Sequence, residues 1–268
     1  MSKKIGFIGC GNMTQAMIGG VIKAGVYVGK DIVVSDLDEG LLSKAAESYG
    51  TNITTSNIHT AREADILILA VKPNLYGIVI EEIKAHVRDG VVIVTIAAGK
   101  SIESTQNFFG KDIKIVRVMP NTPSLVGEGM SSLSPNNLMT PEETGEVTAI
   151  FESFGKTEVV DEKLMDVVTS VSGSSPAYVY MFIEAMADGA VLDGMPRDKA
   201  YKMAAQTVLG AAKMVLETGI HPGQLKDMVC SPGGTTIEAV AALEEKGMRD
   251  AVITAMRRCT KKSKEMSK

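Results

Sequence analysis

The 268-residue chain contains no tryptophan, only 4% aromatic residues, three cysteines and three histidines. Without large rings its interior must be filled by aliphatic and thioether side chains, a task suited to its 16 methionines. Cys10, Cys230 and Cys259 lie far apart and form neither a CxxC pair nor a dense framework. That pattern argues against a secreted disulfide scaffold and for a reducing compartment. His59, His86 and His221 have no HExxH spacing, so no metal is expected. The chain has no stretch of about 20 uninterrupted apolar residues to cross a membrane. Its first residues lead into a strand-like segment without a secretory apolar region. A cytoplasmic protein without a membrane partner is the expectation.

A basic excess is also missing. Net charge is −4, and the final twelve residues, RRCTKKSKEMSK, carry +5 of it, leaving −9 for the rest. A basic body is excluded, which argues against sequence-independent binding to nucleic acid phosphates while leaving room for a local basic patch that binds an anion, and the basic end is read as an aid to solubility.

What is present is ordinary globular material, with 45% hydrophobic and 22% charged residues. The length suits two domains of about 150 residues or less. Apolar runs at residues 4–8, 31–35, 65–71, 91–96 and 113–117 alternate with helix-compatible segments, the rhythm of parallel βαβ units. A helix in EETGEVTAIFESFG and a short strand at TEVV complete this first domain, at residues 1–162. From residue 163 to 268 the sequence turns rich in Ala and Met and reads as all-helical, with helix starts at Ser175-Pro176, Pro196-Arg197 and Gly234-Thr235-Thr236. Small and apolar residues on more than one helix face favour burial against another chain. The fold class is therefore α/β, with an N-terminal Rossmann-like parallel sheet followed by a helical dimerisation domain.

The segment Gly9-Cys10-Gly11-Asn12-Met13-Thr14 joins the first strand to the first helix, the context a dinucleotide site requires. Gly9 permits the tight turn, and Gly11 removes a Cβ that would collide with a diphosphate at the helix N-terminus. Thr14 departs from the pattern, which has Gly or Ala there; its hydroxyl can bond to backbone within the first turn. Ser35 and Asp36 end the second strand. Ser35 can bond a ribose or phosphate, whereas Asp36 suits the ribose hydroxyls of NAD(H) and repels an added 2′-phosphate unless it turns away. Ala70-Val71-Lys72-Pro73 lies at the carboxyl end of another strand, where Lys72 either steadies an anionic ligand or is a solvated loop charge. Asn121, in VMPNTPSLVGEG, either meets a nicotinamide or substrate edge or closes a local turn. In SPGGTTIEAV, Gly233, Gly234, Thr235 and Thr236 form a carboxylate cradle or simply a helix cap.

Taken together, IGFIGCGNM, AVKP, MPNTP, VSGSSPAYVYMFIEAMADGAV and HPGQLKDMVCSPGGTTIEAV closely resemble the pyrroline-5-carboxylate reductase family, and the resemblance spans almost the whole chain. It implies NADPH- or NADH-dependent reduction of (S)-1-pyrroline-5-carboxylate to L-proline, the last step of proline biosynthesis. The resemblance leans to NADPH; Asp36 argues the other way. It places Gly9, Gly11, Asn12, Met13, Ser35, Asn57, Ala70, Val71, Lys72, Pro73 and Asn121 at the cofactor. The imino acid is placed at Gly233 to Thr236, with Thr236 at the ring nitrogen as the catalytic contact. It also implies an intertwined homodimer, or a higher assembly of dimers, with substrate near a domain or subunit boundary. Ser175, where the family commonly has Gly, is a second departure. Another reductase of small imino or carbonyl acids and a catalytically silent nucleotide sensor are the alternative functions.

Overall fold

The computed structural model describes residues 3–266; the last two residues of the basic end lie outside it. Two compact units are present: one runs to Ser174 and includes the stretch from Cys259 on, the other is Ser175–Arg258. Residues 163–174, where the helical composition begins, are thus counted with the sheet.

The chain runs through β1 (Ile5–Ile8), α1 (Asn12–Lys23), β2 (Ile32–Ser35), α2 (Glu39–Tyr49), β3 (Asn52–Thr54), α3 (Asn57–Glu63) and β4 (Ile66–Leu69). It continues with α4 (Tyr76–Ile83), β5 (Val92–Thr95), α5 (Ile102–Phe109), β6 (Lys114–Met119), β7 (Gly129–Pro135), α6 (Pro141–Glu152) and β8 (Gly155–Val159). The short α7 (Met165–Val168) and a π-helical turn, Thr169–Gly173, end the run. The strands form one sheet in the order β3-β2-β1-β4-β5-β6-β7-β8.

Every pairing in the sheet is parallel except that of β6 with β7, so β7 and β8 run opposite to the other six strands. An all-parallel sheet was the expectation. The connection from β6 to β7 is a short 3-10 turn, Thr122–Val126, and it is too short for the crossover that a parallel return requires. β8, arriving after α6, pairs parallel with β7.

Inner strands read as unbroken apolar runs because both faces are covered. Ile66 and Ile68 of β4 point into a core shared with Met17, Ile18 and Val21 of α1 and Ile150 and Phe151 of α6. Leu67 and Leu69 point the other way, toward Tyr76, Ile80 and Ile83 of α4. Side-chain caps start several helices cleanly: Asp38 on α2, Ser56 on α3, Ser101 on α5 and a Thr140/Glu143 capping box on α6.

The second unit holds α8 (Ser175–Leu192), α9 (Arg197–Thr218), α10 (Pro222–Val229), α11 (Thr235–Glu245) and α12 (Met248–Met266) as far as Arg258. α8, α9 and α11 start where the sequence places them; the starts of α10 and α12 were not foreseen. α8 packs on α9, yet Ala187, Ala200 and Ala204 are the only buried residues of the whole unit. Met181 is 69% exposed, and Phe182, Leu209, Met203 and Leu216 are exposed as well. A helical region with no core of its own must cover these faces by assembly. Among the described residues no helix is long and apolar enough to cross a membrane.

Candidate functional site

The strand order reverses between β1 and β4, and the loops at the carboxyl ends of these strands open the crevice where doubly wound sheets bind ligands. Gly9 leaves β1 with φ +101°, and a Cβ there would come within 2.7 Å of the Ala70 carbonyl oxygen. Only glycine allows both the turn and this approach to β4. Its N–H donates to the Ser35 carbonyl oxygen at 2.8 Å, tying the turn to β2 as well.

Gly11 behaves differently. Its φ is −71°, which any residue adopts, and a Cβ would meet nothing within 4 Å. The protein's own packing therefore does not require glycine at this position, and the backbone there is open to a group lying against it. α1 begins beside it with no side-chain cap and no acidic residue in its first turn. Its leading N–H groups and the positive end of its dipole face outward from exposed Asn12 and half-buried Met13. An open glycine before an uncapped helix fits a diphosphate, and the dinucleotide passes this test.

Thr14 is accommodated by a hydrogen bond: it is buried, and its Oγ1 donates to the Gly9 carbonyl oxygen at 2.7 Å. Burial pushes the neighbouring Cys10 thiol up from its ordinary pKa, and the Asp36 charge adds to the effect. Cys10 is consequently a neutral packing group.

Ser35 and Asn57 are brought together, but not as two free ligands. Ser35 is fully buried, and its hydroxyl donates to Asn57 Oδ1 at 2.9 Å. Asn57 Nδ2 in turn donates to Glu82 at 2.9 Å. Asp36 accepts the Cys10 N–H at 2.6 Å and the Asp38 N–H at 2.9 Å. Neither Glu82 nor the Asp36 bond to the glycine turn was legible in the sequence, because both partners come from distant segments.

Ala70 and Val71 are half-buried beneath the glycine turn, whereas Lys72 and Pro73 are exposed at its rim. Among the described residues no carboxylate pairs with Lys72. Asn121, at the end of β6, is 9% exposed. Its Nδ2 donates to the Ser172 carbonyl oxygen at 3.0 Å, and its Oδ1 accepts the Met130 N–H at 2.9 Å. The amide thus ties the loop to β7 and to the π-helical turn.

In the second unit, Ser231 to Gly234 make a turn closed by the Gly234 N–H donating to the Ser231 carbonyl oxygen at 3.1 Å. Gly233 takes φ +67°, and a Cβ on Gly234 would strike Ser231 Oγ at 2.3 Å. Pro232 followed by a left-handed glycine fits a type II turn. α11 then begins at Gly234 without a side-chain cap. Thr235 is exposed and Thr236 half-buried. Neither hydroxyl bonds to another described residue, so the helix start is available to an anion and the hydroxyls to a polar neighbour.

Residues 162–266 match the family model described as pyrroline-5-carboxylate reductase dimerisation, and residues 4–99 match the one described as NADP oxidoreductase, coenzyme F420-dependent. The chain is 54% identical to the pyrroline-5-carboxylate reductase of Escherichia coli K12 over 268 residues, covering 100% of both chains. It is 46% identical to that of Methanosarcina acetivorans, covering 100% of this chain and 99% of the relative. Among solved structures, the pyrroline-5-carboxylate reductase of Coxiella burnetii superposes with a TM-score of 0.95 at 34% identity, covering 100% of both chains. The Plasmodium falciparum pyrroline carboxylate reductase with NADP bound gives a TM-score of 0.90 at 33% identity, covering 100% of this chain and 99% of that one.

Proposed function

The chain belongs to the pyrroline-5-carboxylate reductase family and catalyses the NAD(P)H-dependent reduction of (S)-1-pyrroline-5-carboxylate to L-proline, and we propose that two separate cradles do this work. Gly9, Gly11, Asn12 and Met13 hold the cofactor diphosphate, with Ser35, Asn57, Ala70, Val71, Lys72, Pro73 and Asn121 shaping the rest of its site. Gly233, Gly234, Thr235 and Thr236 hold the imino acid. When bound, the reduced nicotinamide supplies a hydride.

The observation that carries the substrate assignment is the uncapped start of α11 at Gly234, with free Thr hydroxyls beside it. Backbone N–H groups there bind the substrate carboxylate and gain from the helix dipole. The carboxylate then anchors the ring, and Thr236 Oγ1 accepts a hydrogen bond from the protonated ring nitrogen. Protonation makes the adjacent carbon more electrophilic. Threonine contributes alignment and a dipole and does not act as a strong acid.

Residues 163–268 form the substrate-binding and dimerisation region, a reading supported by the matched dimerisation model and by the coreless helices of the second unit. A homodimer, or an assembly of dimers, is the working form. Three free cysteines accord with a cytoplasmic location. Substrate-dependent oxidation of NADH and NADPH, with direct detection of proline, tests the activity. Cofactor binding without proline formation would refute it in favour of a nucleotide sensor.

A further inference from the structure

The last turns of α12 carry the basic end of the chain, yet one of their faces is uncharged. Lys261, Lys262 and Lys264 are exposed, whereas Ser263 is buried and Cys259 and Thr260 are half-buried. Cys259, Thr260 and Ser263 share a face through their three- and four-residue spacing, and each takes a partner between Asp166 and Ser174. Ser263 Oγ donates to Asp166 Oδ1 at 2.6 Å, Thr260 Oγ1 to Ser170 Oγ at 3.0 Å, and Cys259 Sγ to the Ser174 hydroxyl oxygen at 3.3 Å. Further along, the Met266 carbonyl oxygen stands 3.0 Å from the place a Cβ on Gly99 would take, in the loop that follows β5.

These partners frame the π-helical turn, Thr169–Gly173. The Ser174 N–H reaches back five residues to the Thr169 carbonyl oxygen at 2.8 Å. Such turns are rare and need support from their surroundings. Thr169, Ser170 and Ser172 turn their hydroxyls onto the Met165, Val167 and Val168 carbonyl oxygens, bonds that compete with a regular helix ladder. Ser170, fully enclosed, thus accepts from Thr260 while it donates to Val167.

The turn in turn holds Asn121. Its Ser172 carbonyl oxygen accepts from Asn121 Nδ2, and Asn121 Oδ1 accepts the Met130 N–H. The Asn121 amide is buried, so water does not replace the bond if the Ser172 carbonyl moves. Relaxation of the turn to an α-helical register re-aims that carbonyl. The loop that Asn121 begins lies at the carboxyl end of β6, where sheets of this kind meet their ligands.

We propose that Thr260 and Ser263 are positioning residues for the reduction: from the far end of the chain they lock the π-helical turn, and the turn holds Asn121 and its loop in place for the cofactor. This rests on the reading above that puts Asn121 at the cofactor, and it gives the uncharged face of the basic end a part in turnover.

The test is the initial rate of the whole protein with NADH and with NADPH at saturating imino acid, measured beside the melting temperature. Thr260→Val keeps the volume and removes one hydroxyl; Ser263→Ala removes the other. Each should lower kcat about tenfold with either nucleotide, at a temperature where the variant is fully folded. Thr260→Ser should restore the rate. Lys261→Gln combined with Lys264→Gln removes charge, leaves the bonded face intact and should keep kcat within about twofold of wild type. In an Asn121→Ala background, Thr260→Val should cost less than about twofold more, because the route it acts through is already broken. Undiminished kcat in both Thr260→Val and Ser263→Ala would overturn the proposal, whatever happens to their melting temperatures. A full tenfold further loss on top of Asn121→Ala would overturn the route through Asn121. A loss in the lysine pair equal to that of Thr260→Val would make charge, not the hydroxyls, the working feature of the end. Wild-type protein that binds nucleotide and forms no proline would remove the reductase reading and this role with it, an outcome decided without any variant.

Discussion

Thr14 and Gly9 hold the glycine turn closed from within: the threonine hydroxyl, in the first turn of α1, donates to the carbonyl oxygen of the residue that follows β1. The bond explains how a bulkier residue sits at a position that usually needs Gly or Ala. Thr14→Val keeps the volume and loses the donor, leaving a carbonyl without its partner in a buried setting. It should lower stability by about 1–3 kcal/mol and weaken cofactor binding. Urea unfolding with an unchanged slope and a shifted midpoint checks the first, and a nucleotide titration the second.

Gly9 and Gly11 should separate folding from binding. Gly9→Ala puts a Cβ against the Ala70 carbonyl at a positive φ and should cost roughly 2–4 kcal/mol of stability together with cofactor affinity. Gly11→Ala meets no protein atom. Its stability should change by about 1 kcal/mol or less, while cofactor affinity falls about tenfold or more. Thermal unfolding with and without nucleotide distinguishes the two variants.

Thr236→Ala removes a hydroxyl that has no bond to another described residue. Melting temperature should stay within about 1–2 °C of wild type, and kcat/KM for the imino acid should fall about tenfold. Thr236→Ser should recover most of the loss, because it restores the hydroxyl. Unaltered kcat/KM in the alanine variant would remove Thr236 from the substrate site.

Tyr27 provides a pH test. Burial, aided by the Glu146, Asp65 and Asp31 charges, pushes its pKa from 10.0 up to about 12. Between those values the native protein retains a proton that the unfolded chain has lost. The contribution of Tyr27 to stability is therefore fully present below pH 10 and is lost as pH rises toward 12. Tyr27→Phe should unfold over a shallower alkaline slope, and the difference in tyrosinate absorbance between the two proteins should titrate well above free tyrosine.

Met181 is 69% exposed on α8 of the isolated chain. Met181→Asp would be nearly neutral in a monomer, within about 0.5 kcal/mol. In a protein that buries this face by assembly, the variant should dissociate on dilution and lose activity with it. Sedimentation velocity and activity at matched concentrations decide.

Local order was carried by the sequence itself. A buried strand running into Gly9-Cys10-Gly11 and then a helix is a short-range pattern, since turn, dipole and periodicity lie within a dozen residues. The same holds for the Pro-Gly-Gly turn before α11 and for the helix starts at Ser175, Arg197 and Thr235. β3 and β7 carried no comparable signal, being short or built of small and polar residues, and they become strands only because neighbouring strands offer a ladder. Tertiary structure alone decided which polar groups at the site are already engaged. Ser35 is given to Asn57, Asn121 to the Ser172 carbonyl and the Met130 N–H, and Asp36 to the glycine turn. Each pairing joins residues between 9 and 51 positions apart, and hydrogen bonds of that kind depend on where the fold brings the segments, which no local pattern encodes.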